Sequence, residues 1–294
     1  MSESTDAGRE VNDVNRLTRI LVVSPHFDDA VLSAWALLDR EPAGAADVLT
    51  VFGGLPAAGK STVADAACGF RDGIEAIHAR REEDDRALAG VAARHWWLPL
   101  VDLQYTTGQR DVSDAEAIVR AVTSWIREQD SPEKDLAIAI PAGSGAHVSR
   151  TPPPSVTSGA RPVGGRALAW LRALKHRAYV RKRRKALAGR GPAHPDHLFV
   201  RDAILESLNR LGGVRVILYN ELPYLWSVAA DGEVARLSAA RGLNVSPFEL
   251  PVDRDRKQHH LREYASQLSA LDPSGRLHQA ATLPYTERYW TIRP

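Results

Sequence analysis

The run RILVVSP, Arg19 to Pro25, constrains the fold more than any other stretch of this chain. It is short, apolar and rich in β-branched residues, the pattern of a strand buried on both faces. Such strands sit in parallel sheets, where each crossover to the next strand needs a covering helix. The sequence supplies one at once. After Asp28-Asp29 comes AVLSAWALL, apolar and of helical length, with an acidic first turn that suits the positive end of the helix dipole. DVLTVF (Asp47 to Phe52), LAIAIP (Leu136 to Pro141) and VRVILY (Val214 to Tyr219) read as three further buried strands. Between DVLTVF and HWWLPL (His95 to Leu100) lies IEAIHARREEDDRALAGVAA, charged and apolar at helical spacing. A helix over about Val112 to Gln129 leads into LAIAIP, and HLFVRDAILESLNRLGG (His197 to Gly213) reads as an amphipathic helix with a glycine stop.

The last part of the chain is less regular. Short strands are expected near Glu233 to Leu237 and Phe248 to Val252, then a helix from about Asp255 to Leu271 and a tail ending ERYWTIRP. Strands alternating with helices predict a Rossmann-like α/β fold, a mostly parallel sheet flanked by helices. Sheets of this class bind ligands outside the carboxyl ends of their strands.

Charge singles out one segment that breaks the alternation. Lys and Arg total 38 against 36 Asp and Glu, a formal charge of +2, which excludes a uniformly basic nucleic-acid coat protein. Yet Ala142 to Pro195 contains no Asp or Glu, and ten Lys/Arg fall between Arg166 and Arg190. Taking those ten charges from the total of +2 leaves −8 for the rest of the chain. The segment reads as a Gly/Pro/Ser hinge followed by a basic helix, an insertion at about 142–193 in a single domain spanning 18–294. Residues 1–17 read as a flexible leader. The single cysteine, Cys68, can form no internal disulfide, which fits a reducing compartment. Neither a secretory apolar region nor a run of ~18 apolar residues is present, so the chain reads as cytoplasmic.

Chemistry concentrates at two places. Ser24-Pro25-His26-Phe27-Asp28-Asp29 directly follows the first strand, and His194-Pro195-Asp196-His197 opens a later helix. A His and an Asp three residues apart on a strand-to-helix turn can both face the cleft above the sheet. Imidazole nitrogen with carboxylate oxygen suits Zn²⁺, and Fe²⁺ or another divalent metal also fits. The second motif supplies the third ligand a catalytic site needs. A second Asp is then available as a general base, and a further His, if protonated, can stabilise an oxyanion or protonate a leaving amine. These parts suit amide hydrolysis.

PHFDD after the first strand, together with HPDH opening a later helix, resembles the PIG-L/LmbE-like family of zinc-dependent N-deacetylases, whose usual signatures are PHPDD and HxDH. The resemblance implies a hydrolase that removes an acetyl or other acyl group from an amino-sugar conjugate such as N-acetylglucosamine, by metal-activated water. Members act on sugars carried by lipids, thiols, nucleotides and antibiotics. Carried over by position, it implies His26, Asp29 and His197 as metal ligands, Asp28 as general base and His194 as the oxyanion residue. Softer matches are Arg80 and Glu83 in an R-x-x-E helix, Asp102 after LPLV, YASQL around Tyr264, and ERYW. Arg80 and Asp102 fall where members contact the sugar, although Arg80 and Glu83 also suit a helix-surface ion pair.

Phe27 and Ala30 depart from the family pattern at positions that should not ligate metal. The larger departure is the insertion. PAGSGAHV (Pro141 to Val148) resembles the approach to HxDH in one branch of the family but continues Ser149-Arg150. His194 is therefore favoured over His147 for the oxyanion, leaving His147 as a substrate contact. Trp96 and Trp97 read as core or near-core. His78, His95, His176, His259 and His260 have no partner at ligand spacing. The basic insertion suits a solvated flap, a clamp on an anionic conjugate, or a peripheral membrane contact through Trp170, Leu171, Leu174 and Tyr179. A metal-free binding module, recognising nucleic acid or glycan through that insertion, is the competing reading, and nucleic acid is not favoured.

Overall fold

A computed structural model describes residues 10–14, 16–40, 44–106, 110–143, 193–226 and 230–293. Most of the leader, nearly all of the basic insertion, and His147 lie outside the described residues. Seven strands form one sheet in the order β3-β2-β1-β4-β5-β7-β6. They are β1 Arg19–Ser24, β2 Ala46–Thr50, β3 Arg94–Trp97, β4 Leu136–Pro141, β5 Arg215–Tyr219, β6 Asn244–Pro251 and β7 Thr286–Arg293. The first five are mutually parallel, and β7 runs antiparallel to both β5 and β6. This is the mostly parallel, Rossmann-like sheet expected from the alternation of strands and helices.

Among the five parallel strands the central one is β1, whose Ile20, Leu21, Val22 and Val23 have apolar partners to bury on both faces. Ile20 and Val22 join the core on one side of the sheet, and Leu21 and Val23 join the core on the other. From β1 the chain moves outward to β2 and β3, then returns across the sheet to β4 on the opposite side. The direction of winding therefore reverses between β1 and β4, and a crevice opens where their carboxyl ends diverge. That is the position of the PHFDD turn.

The α-helices that follow β1 are α1 Asp29–Ser33, α2 Trp35–Leu38, α3 Val63–Ala67, α4 Gly73–Leu88, α5 Val112–Arg127, α6 Pro195–Leu205, α7 Asp231–Arg241, α8 Arg254–Leu261 and α9 Ala265–Leu271. Their buried residues divide between the two cores, with α1, α2, α4 and α8 on one face and α5, α6 and α7 on the other. Side-chain caps start several of them. Asp72 accepts from the Glu75 N–H at α4, and Asp111 accepts from the Ser113 N–H at α5.

Several sequence expectations are corrected. Glu233 to Leu237 is not a strand but the middle of α7, where Val234 and Leu237 fall three apart on one buried face. Gly242, at φ 62°, ends that helix, and β6 begins two residues later. The helix expected through Gly213 stops at Leu205, and HWWLPL contributes its first residues to the edge strand β3. The helix expected over Asp255 to Leu271 is divided into α8 and α9 by a short 3₁₀ turn at Arg262–Tyr264.

AVLSAWALL likewise divides at Ala34 into α1 and α2, with φ −130° and ψ 26°. Side chains from distant elements capture the backbone there. Lys257 Nζ donates to the Leu32 carbonyl at 2.8 Å, and the Ala36 N–H donates to Glu287 Oε2 at 2.8 Å. Lys257 and Glu287 themselves pair at 2.5 Å with no exposure of the lysine, and the Tyr289 hydroxyl also reaches Glu287. A charge left without its partner in so dry a place is strongly destabilising. Lys257→Met is expected to cost about 3–5 kcal/mol of folding free energy, measured by urea unfolding, and an unchanged midpoint would contradict this account.

Candidate metal centre

The PHFDD turn is folded by its own polar groups. Ser24, the last residue of β1, donates its hydroxyl to the His26 carbonyl at 2.5 Å and accepts the Ala30 N–H at 3.0 Å. Asp29 Oδ2 accepts the His26 backbone N–H at 2.8 Å. These bonds put the His26 and Asp29 side chains side by side at the mouth of the crevice, with Nδ1 and Oδ2 3.2 Å apart.

The second motif reaches the same place from α6. Pro195 occupies the first helical position, where its missing N–H costs nothing, and His194 is the N-cap. His194 Nδ1 accepts the Asp196 N–H at 3.3 Å, so a neutral His194 ring carries its proton on Nε2. One turn later, His197 Nε2 lies 3.2 Å from Asp29 Oδ2 and 3.3 Å from His26 Nδ1. The three atoms form a nearly equilateral triangle. Ligands about 2.0–2.2 Å from a tetrahedral metal stand about 3.3–3.6 Å from one another. The triangle therefore fits a divalent metal, and its donor set of two imidazoles and one carboxylate suits one. His194 also offers a ring nitrogen within 4.8 Å of His26 and His197, but its Nδ1 is engaged in capping.

Each candidate ligand histidine has a carboxylate behind it. His197 Nδ1 is 2.8 Å from Glu221 Oε1, and His26 Nε2 is 3.3 Å from Asp196 Oδ2. Such a partner takes the proton of one ring nitrogen and leaves the other nitrogen's lone pair facing the metal position. Asp196 is in turn held by Arg110, whose Nε and Nη2 donate to Oδ1 at 2.9 and 2.6 Å, and by the Leu103 N–H at 3.2 Å. Asp102 Oδ2 is 3.8 Å from His26 Nε2.

These contacts decide the charge states of the metal-free cluster. Burial alone would lower the pKa of His26, but hydrogen bonds to Asp196 and Asp29 and the charge of Asp102 raise it to about 10. His197 is buried too, yet Asp29 and Glu221 push it well above its ordinary value. Asp29 is held well below the usual carboxylate range by the two histidines, against its own burial. His194 goes the other way. Burial, then the charges of His26 and His197, lower it well below its ordinary value, so it is neutral at pH 7. In the metal-free chain the His194 ring therefore offers an N–H and not a positive charge.

A cavity of about 440 Å³ opens over the cluster. Asp28, only 5% exposed, lines it together with His26, Asp29, His194 and His197, and Arg80 and Asp102 line it too. Arg80 pairs with Asp65 at 3.3 Å and donates to the Tyr105 hydroxyl at 3.4 Å. It does not pair with Glu83, which instead accepts from the Ser266 N–H and hydroxyl and from Gln267 Nε2. The YASQL and ERYW matches thus hold helices together, since Tyr264 donates to Asp84 at 2.8 Å and Glu287 holds Lys257. Trp96 and Trp97 are half-buried, under Arg94 and Arg81. Glu221, Asp196 and Arg110 were not read from the sequence. Glu221 stands two residues beyond the end of VRVILY, where strand-end function is expected, and Asp196 lies inside HPDH itself. Arg110 carried no signal.

No family model matches the chain, and no curated protein matches it. Solved structures do. A deacetylase of the antimicrobial A40926 pseudoaglycone is 26% identical, with 94% of this chain and 97% of that one covered and a TM-score of 0.57. A deacetylase from the biosynthesis pathway of teicoplanin is 21% identical, with 94% and 98% covered and a TM-score of 0.60. A zinc-inhibited form of teicoplanin deacetylase is also 21% identical over the same shares, with a TM-score of 0.56.

The raised pKa of His26 has a measurable consequence. Its contribution to the stability of the metal-free chain is complete below its ordinary value of 6.5 and is lost as pH rises through about 10. Chelator-treated protein should therefore become easier to unfold with urea as pH is raised from 6.5 toward 10, and His26→Asn should flatten that dependence. Metal competes with the same protons, so metal affinity should rise over the same interval. A pH-independent midpoint in the wild-type chain would contradict the assignment.

Proposed function

We propose that this chain, which has the LmbE-like fold of the PIG-L/LmbE-like family, is a metal-dependent N-deacetylase that hydrolyses the amide of an N-acetylated amino-sugar conjugate. The observation that carries this reading is the triangle of Asp29 Oδ2, His26 Nδ1 and His197 Nε2 at 3.2–3.3 Å, on the wall of a cavity that also holds Asp28. His26, Asp29 and His197 would hold the metal, with Zn²⁺ as its identity because two nitrogens and one oxygen suit it. When bound, zinc supplies Lewis-acid activation of water and of the amide carbonyl.

The remaining roles belong to the chain's own groups. Asp28 neighbours Asp29 but is not part of the triangle, so it is the base that takes a proton from the attacking water. The same carboxyl group returns that proton to the nitrogen as the C–N bond breaks, leaving acetate and a free amine. His194, neutral and protonated at Nε2, donates a hydrogen bond to the developing oxyanion. Arg80 and Asp102 bind polar groups of the sugar. The single domain from 18 to 294, with its insertion at 142–193, completes the reading. The names of the structural neighbours make N-acetylated glycopeptide pseudoaglycones the first substrates to test.

Acetate release from zinc-loaded protein across N-acetylglucosamine conjugates and such pseudoaglycones tests the proposal. Asp28→Asn should keep its zinc and lose about 10²–10⁴ in kcat. His194→Ala should lose about 10²–10³. Undiminished turnover in Asp28→Asn would remove the assigned base, and no acetate release from any of these substrates would remove the activity.

A further inference from the structure

We infer that Glu221 is the positioning residue of the metal centre, and that the backbone N–H of Gly143, at the exit of β4, holds Glu221 in place. The inference rests on His197 being a metal ligand. Glu221 has no exposed surface. A carboxylate so placed must have its oxygens hydrogen-bonded, because the cost of a buried charge is otherwise several kcal/mol. Two different elements meet that demand. Oε1 lies 2.8 Å from His197 Nδ1, and Oε2 accepts the Gly143 N–H at 2.8 Å.

The two contacts have distinct effects on His197. The first fixes the imidazole proton on Nδ1 and orients the ring, so that the Nε2 lone pair points at Asp29 and His26. The second fixes the carboxylate, and with it the ring, to the end of β4. Gly143 has φ +85°, a conformation that side-chain-bearing residues rarely adopt. A Cβ at this position would lie 2.6 Å from both Arg201 Nη1 and Leu198 Cδ2. Arg201 is itself committed, donating to the Ala142 carbonyl at 2.9 Å and to Glu233 at 2.7 Å. Leu198 is the residue after His197. The strand exit therefore meets the candidate ligand twice, through the Glu221 hydrogen bonds and through the packing of Leu198.

Zinc affinity of the full-length chain, measured by competition with a chromogenic chelator, tests this for wild type, His197→Ala, Glu221→Gln and Gly143→Ala. The unfolding midpoint of each metal-free variant is read alongside. Gln keeps the size of Glu221 but has one acceptor oxygen, so it can serve His197 or Gly143 and not both. Glu221→Gln should bind zinc 10–100-fold more weakly at a temperature where the metal-free variant, destabilised by loss of its buried charge pair with His197, is still folded, and Gly143→Ala should also bind more weakly. A side chain that only fills space would tolerate Gln with no change in zinc affinity, and that result would overturn the role of Glu221. Wild-type affinity in Gly143→Ala would overturn the part given to Gly143. Wild-type affinity in His197→Ala would instead overturn the metal-ligand reading on which the inference rests.

Discussion

One oxygen of Asp29 sits 3.2 Å from an imidazole nitrogen of His26 and 3.2 Å from one of His197, in a place nearly closed to water. Bringing three such groups together is unfavourable unless a positive charge is shared among them. In the metal-free chain protons on the two histidines provide it, which is why both titrate above their ordinary values. A divalent metal provides it more directly, through the same atoms. Much of the surrounding structure serves to hold these groups in register.

The two halves of the cluster come from residues about 170 apart, and each is anchored separately. His26 and Asp29 depend on the Ser24 turn and on α1, whose carboxyl end is fixed by Lys257 and Glu287 from α8 and β7. His197 depends on α6, with Glu221 from the end of β5 behind its ring and Gly143 from the end of β4 behind Glu221. Asp196 and Arg110 perform the corresponding task for His26. The antiparallel pair β6 and β7 thus closes one edge of the sheet and also delivers Glu287 to the break between α1 and α2. The divergence of the parallel neighbours β1 and β4 at their carboxyl ends, where winding reverses, brings both anchors to one crevice.

Much of this was legible in the chain. Buried strands such as RILVVSP and LAIAIP declare themselves by composition, and the PHFDD and HPDH motifs contain the three residues, His26, Asp29 and His197, whose side chains meet in the candidate triangle. What stayed hidden has a common cause. Glu233 to Leu237 reads as a strand because a short apolar pair spaced three apart is weak evidence of period, and the helix there, α7, is defined by its packing. The break at Ala34 was invisible because Lys257 and Glu287 are more than 200 residues away. Arg110 reaches the site only through a contact made across the fold and carries no local pattern, and the position of Glu221 just past a strand end does not show which side chain it meets. Conversely, Glu83 and Tyr264, which matched family positions, turned out to join α4 to the segment around α9 and to stand apart from the candidate chemistry.

X-ray absorption at the metal edge of the zinc-loaded chain tests the central claim most directly. The account gives one zinc per chain, bound by two imidazole nitrogens and a carboxylate oxygen at about 2.0–2.2 Å, with the histidine scattering halved in His197→Ala. A chain that takes up no stoichiometric zinc, or one whose bound zinc shows no imidazole scattering, would contradict it.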